Sequence, residues 1–206
     1  MHSPAADDRT ARARIRDEAL RLFAARGPDA VTMRDIATAA GVSPALLVRH
    51  YGSKDGLVAA VDNHVIAALD ALLTNITDAA AASGLSGSAL PGLLDGLATQ
   101  LPPDSPIPAY LTRALITDAA VGGTLFRRLY EISTTALDAM VAAGIAHSGG
   151  DSAVRAAFLL VNDLAALALR ARLTEALGVD PLSTEGAQRW GAQVFAIYRD
   201  GLTGEP

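Results

Sequence analysis

T-M-R-D-I-A-T-A-A-G-V-S-P-A-L-L-V-R-H-Y-G-S-K-D-G-L, running from Thr32 to Leu57, encodes two short helices around a tight turn. Thr32 is placed to cap a helix, and Asp35 to return a bond to the Thr32 backbone, a capping box with Asp where Glu is usual. Ile36, Ala37 and Ala40 then share one face, and Gly41 supplies the permissive backbone for a sharp exit. Ser43 caps the next helix, with Pro44 at its first position, where a missing N–H costs nothing. Leu47 and Tyr51 share one face of that helix with Val48 beside them, which leaves Ala45, Leu46, Arg49 and His50 to look outward. Gly52 ends the helix and Ser53 caps another that begins Lys54-Asp55. Two helices at this spacing make a helix-turn-helix, and the outward face of the second is a candidate reading surface for double-stranded DNA.

These residues carry a family resemblance. I-A-x-x-A-G-V-S-P-A-L-L-V-R-H-Y-G-S-K-D-G-L resembles the DNA-binding segment of the TetR family of bacterial transcriptional regulators, which has the same Ile-Ala, Ala-Gly-Val-Ser and Ser-Lys-(Asp/Glu)-x-Leu landmarks. The likeness covers about the first quarter of the chain, and the preceding helix, Ala11 to Arg26, suits the family's three-helix domain. By position, Arg34 and Lys54 correspond to the family's phosphate contacts, and Lys54 is the only lysine in the chain. Thr32 and Ser43 are caps that also present helix amino termini to anions. Arg49 suits a bidentate bond to guanine and His50 a bond to base or phosphate, while Leu46 either meets a thymine methyl or packs in the motif core. With Pro44 and Ala45 these complete the DNA-binding candidates. Where the family commonly has a phosphate-binding Tyr, this chain has Val48, and the Ala45, Leu46 and Tyr51 positions are often Gly, Thr and Phe. Val48 makes no phosphate bond, so by position Arg49 or His50 is left to take over part of it.

Composition fits an all-α protein. Half of the 206 residues are apolar and 4% aromatic, with Ala and Leu dominating, a mix for close-packed helices. No apolar run reaches membrane-spanning length and the amino terminus lacks the blocks of a signal peptide, so a cytoplasmic protein without membrane association is expected. The net charge of −5 is unevenly spread: nine basic against seven acidic residues up to Val58, then eight against fifteen. Arg9, Arg12, Arg14 and Arg16 form either a basic arm for phosphates or a solvated helix face, and their place before the motif favours the former. There are no cysteines, the four histidines lack metal spacing, and no phosphate loop or nucleophile elbow occurs, so no catalytic residue, metal or cofactor is expected.

A division follows at residues 1–52, a helix-turn-helix DNA-binding domain, and 53–206, a helical ligand-binding and dimerisation domain, with about nine helices in all. Leu57, Val61, Val65, Leu69, Leu72 and Ile76 mark one long linking helix. Loops at Ser83–Ser88 and Pro102–Pro106 bracket a short helix over 89–101; another runs over 107–119. Gly122-Gly123 is read as a break before a helix from Leu125 to about His147, and Asp151 as the cap of the next. From Val154 to Leu169 apolar residues cover nearly the whole circumference, and the final helix carries two neighbouring stripes. Phe158, Val161, Trp190, Val194, Phe195 and Tyr198 therefore belong either to a homodimer interface or to a larger monomer core, and the size of the domain favours the dimer.

The resemblance implies a regulator that binds a palindromic operator as a homodimer and, as a repressor, releases it when a largely apolar small-molecule effector enters the carboxy-terminal domain. Tyr110, Arg113, Phe126, Tyr130, Thr134 and His147 fall on helices that usually wall the family's ligand cavity, and each is open equally to a place in the core or on the surface. Asn162 and Asp163 interrupt the most apolar helix, either as a structural hydrogen bond or as ligand contacts. The other class of function open to these residues is a helical small-molecule-binding or interaction protein with a degenerate DNA-binding domain.

Overall fold

The computed structural model describes residues 4–82, 93–102, 104–117, 120–142 and 149–200. They form ten helices: α1 (Pro4–Arg26), α2 (Met33–Ala39), α3 (Pro44–Tyr51), α4 (Lys54–Ala82), α5 (Leu93–Gln100), α6 (Ile107–Ile116), α7 (Ala120–Ala142), α8 (Ser152–Ala168), α9 (Arg170–Leu177) and α10 (Thr184–Asp200). Among the described residues there is no strand, as the composition requires, and no single helix is long and apolar enough to cross a membrane.

The tenth helix is a correction to the expected nine. At Leu169 the chain bends by 78° between α8 and α9. α9 contains no buried residue, so it has no apolar stripe for periodicity to detect. It is held instead by Arg170, whose guanidinium donates to both Asp180 oxygens at 2.8 and 2.6 Å, and by Gly178 ending it at φ +69°. Gly122-Gly123 is a second correction: the pair lies inside the first turn of α7 rather than before it. Gly122 is there for close approach, because a Cβ would run into the Ala114 carbonyl oxygen. The expected loop at 83–88 and His147 lie outside the described residues.

The chain divides into two compact units, Met1–Ala68 with Pro106–Gly122, and Leu69–Ser105 with Gly123–Pro206. The first therefore takes in α6, from a region that the sequence groups with the carboxy-terminal domain. Its core joins Ile15 and Phe23 of α1, Ile36 of α2, Leu47 of α3, Leu57, Val61 and Val65 of α4 and Leu111 of α6, all fully enclosed. Each side chain of this size, fully buried, contributes about 1.5–3 kcal/mol. In the second unit α5 packs on α8 and α10, around Leu97, Leu129, Leu160, Leu167 and Ala187. Asp151 caps α8 by accepting the Val154 N–H at 3.0 Å. α4 is continuous from the first unit into the second.

Candidate nucleic-acid interface

The capping chemistry around α2 and α3 has the expected form. Thr32 Oγ1 accepts the Asp35 N–H at 3.1 Å while an Asp35 oxygen accepts the Thr32 N–H at 2.9 Å. The Thr32 backbone N–H, then its hydroxyl, hold the Asp35 carboxyl below the usual carboxylate range. Gly41, at φ +62°, takes the left-handed conformation that the turn needs, and the Val42 N–H closes it on the Ala37 carbonyl at 3.0 Å. Ser43 Oγ accepts the Leu46 N–H at 3.2 Å with Pro44 in the first turn, and Ser53 Oγ accepts the Gly56 N–H at 3.1 Å to start α4. Gly56 lies so close to α3 that a Cβ would strike the Tyr51 carbonyl oxygen.

The phase of α3 differs from the sequence reading. Leu47 is fully buried and Tyr51 half-buried, as expected, but Val48 is 50% exposed, while Leu46 and His50 are half-buried. His50 Nε2 is enclosed, and the imidazole lies 6.4 Å from the Tyr51 ring. The outward face is therefore Pro44, Ala45, Val48 and Arg49, all exposed. Three consecutive apolar residues, Leu46, Leu47 and Val48, gave no way to choose the phase of an eight-residue helix.

Around this face stand exposed Thr32, Arg34 and Ser43, and half-exposed Lys54, whose Nζ lies 3.5 Å from the Asp29 carbonyl oxygen. Of the arginine cluster, Arg14 is exposed and Arg16 pairs with Asp17 at 2.6 Å. Arg12 has a structural role that the sequence did not signal: its carbonyl accepts the Tyr51 hydroxyl at 2.7 Å and its guanidinium lies 5.5 Å from the centre of the Tyr51 ring. The side chain of Arg9 is outside the described residues.

The proposed ligand contacts are divided between the two units. Tyr110 and Arg113 lie in the first unit, the other five in the second. Tyr110 is buried, its hydroxyl donating to Asp62 at 2.5 Å; Arg113 donates to the carbonyls of Ala24 and Ala25 at 3.3 and 3.2 Å, at the carboxy-terminal end of α1. Burial pushes the Asp62 carboxyl up, partly offset by the Tyr110 hydroxyl. In the second unit Phe126 is exposed, Tyr130 donates to the Ala153 carbonyl at 3.2 Å, and Thr134 returns to its own helix at the Tyr130 carbonyl, 3.0 Å away. Asn162 and Asp163 are half-buried rather than buried, with the Asn162 amide 3.5 Å from the Asp163 carboxylate. Ser133, which the sequence did not single out, ties α7 to α8 by donating to the Ala156 carbonyl at 2.6 Å.

Of the dimer candidates, Phe158 is 64% exposed and Val161 50%, with Val154 also exposed one turn before Phe158. Trp190 and Val194 are half-buried; the Trp190 indole nitrogen is enclosed and has no hydrogen-bond partner among the described residues. The side chains of Phe195 and Tyr198 are outside the described residues.

The family model described as "Bacterial regulatory proteins, tetR family" matches residues 15–61, which include this capped motif, and one described as "Tetracyclin repressor-like, C-terminal domain" matches residues 104–203. The HTH-type transcriptional regulatory protein RaaS of Mycobacterium tuberculosis (strain ATCC 25618 / H37Rv) is 33% identical over 155 residues, 75% of this chain and 68% of that protein. An HTH-type transcriptional repressor of the same strain is 48% identical over 61 residues, 30% of this chain and 32% of the repressor. Among solved structures, a gamma-butyrolactone receptor (ArpA-like protein) shares the fold at TM-score 0.64 and 24% identity, covering 92% of this chain and 98% of its own. CprB from Streptomyces coelicolor A3(2), a TetR family protein, does so at TM-score 0.64 and 22% identity, with the same coverages. The chain thus belongs to the TetR family of bacterial transcriptional regulators, and its capped α2–turn–α3 unit is the family's helix-turn-helix.

Proposed function

We propose that this protein is a ligand-responsive repressor in the bacterial cytoplasm. As a homodimer it binds a palindromic operator with two copies of α3 in successive major grooves, and a small molecule held by the second unit releases it. The observation that carries the DNA-binding part is the α3 surface: a helix capped by Ser43 with an exposed face that includes Arg49, in a motif where Arg34 is exposed and Lys54 half-exposed. Arg34 and Lys54, with the helix entries at Thr32 and Ser43, meet phosphates and fix the register, while Arg49 reaches a base edge, best matched to guanine. Leu46 and His50, turned partly inward, support α3 rather than read DNA.

Dimerisation is supported by Val154, Phe158 and Val161 of α8, which form an exposed stripe at i, i+4, i+7 that a second copy covers. Phe126, Tyr130, Thr134, Asn162 and Asp163 are the candidates for effector contact. Release requires that the effector bind more tightly to a state whose recognition helices are out of register with the operator. Alanine substitutions test the contact assignment. Arg34→Ala and Lys54→Ala weaken binding to every sequence alike and lower the salt slope by about one each, whereas Arg49→Ala also relaxes preference at one base pair per half-site. Equal effects of all three on operator and unrelated DNA would remove Arg49 from the reading role.

A further inference from the structure

The outward face of α3 is almost wholly apolar. At about 100° per residue, Pro44, Val48, Ala45 and Arg49 fall within about 140° of arc. The first three offer no side-chain hydrogen-bond donor or acceptor, and Val48 is half in solvent although a valine earns nothing there in the isolated chain. We infer that Val48, with Ala45 beside it, is a specificity-determining residue that packs against the C5-methyl group of thymine in the major groove of the operator.

This rests on the DNA-binding reading proposed above and adds its chemistry. Of the groups that base pairs present in the major groove, the thymine methyl is the apolar one. An apolar face pressed against the amino, carbonyl or ring-nitrogen edge of another base strips water from polar groups without replacing their hydrogen bonds, so it selects against those bases as well as for thymine. Arg49 borders the same face, which gives each half-site one or two thymines next to the base pair that Arg49 reads. Substitution at Val48 leaves the fold intact because the core contact of this helix is the buried Leu47.

The test uses the full-length protein and the operator recovered by selection. Each thymine of a half-site is replaced in turn by deoxyuridine, which removes only the methyl group. At the position facing Val48, affinity falls about fourfold for one half-site and about tenfold or more for both, as expected for one buried carbon each. Val48→Ala binds the thymine and uridine operators within about twofold of one another, with an unchanged salt slope. Val48→Thr, which keeps a branched methyl, retains most of the discrimination. Uridine replacement without effect at every position, or a thymine preference surviving intact in Val48→Ala, overturns the inference while leaving DNA binding standing. A protein that selects no DNA at all overturns both.

Discussion

Asp62 and Tyr110 join α4 to α6 through a single short hydrogen bond inside the first unit. Burial raises the Asp62 carboxyl, so its charged form is a net cost of folding. The corresponding stabilisation is fully present below the ordinary carboxylate pKa and is lost as pH rises through the raised one. Asp35 and Asp180, whose carboxyls are held low by hydrogen bonds, act in the opposite sense and lose stability in acid, so variants are to be compared with the parent at each pH. Asp62→Asn keeps an acceptor for Tyr110 without the charge, and thermal melts from about pH 4 to pH 7 are expected to show it at least as stable as the parent at the upper end. Tyr110→Phe strands the half-buried carboxylate and costs about 1–2 kcal/mol at neutral pH, less in acid. A Tyr110→Phe penalty that does not change with pH would assign the loss to packing alone. The caps at Thr32, Ser43, Ser53 and Asp151 were legible because each reaches only three residues along the chain. The Tyr110–Asp62 bond closes a span of 48 residues between groups with no local signature, so the sequence left Tyr110 open between ligand contact, core and surface.

At the scale of elements, α6 shows how a helix can be found and its neighbours missed. Its apolar residues mark it clearly, yet nothing in them says that it packs on α1. Arg113 makes that attachment by donating to the last carbonyls of α1, groups that a helix end otherwise leaves to solvent. Gly27, at φ +81° beyond that end, lies against the same guanidinium. Arg113 thus ties α6 to the end of α1 within the first unit. Arg113→Ala is expected to lower stability by about 1–2 kcal/mol and to weaken operator binding several-fold, with effector affinity unchanged when measured without DNA. An unaltered operator affinity together with lost effector binding would instead assign Arg113 to the ligand site. The other misreadings at this scale also have local causes. α9 buries nothing and so carries no period; Gly122-Gly123 is chosen for closeness to Ala114 rather than for a break. The short α3 has three apolar residues in a row, so its sequence alone does not single out one phase, and its packing against α1 and α2 does.

For the whole molecule, the division of labour follows the division of charge. The net acidity belongs to the residues after Val58, while up to Val58 basic residues slightly outnumber acidic ones, so the charge that would repel phosphates lies outside the segment that carries the motif. The family was readable from the motif because its landmarks are the caps, turn glycines and core positions that any such unit needs. The effector was not, because the candidates of the second unit are common side chains whose grouping depends on packing between distant helices. The dimer proposed above draws support from the exposed stripe of α8 and would have a direct consequence for DNA: two recognition helices would require two half-sites about one helical turn, about 34 Å, apart. The decisive measurement is selection of bound fragments from genomic and random DNA by the full-length protein, followed by salt titration and the number of chains on the recovered site. An inverted repeat with that spacing, two chains or a multiple of two per site, and affinity falling steeply with salt are the expected results. Enrichment of no sequence, or a single chain bound with salt-independent affinity, would contradict the account.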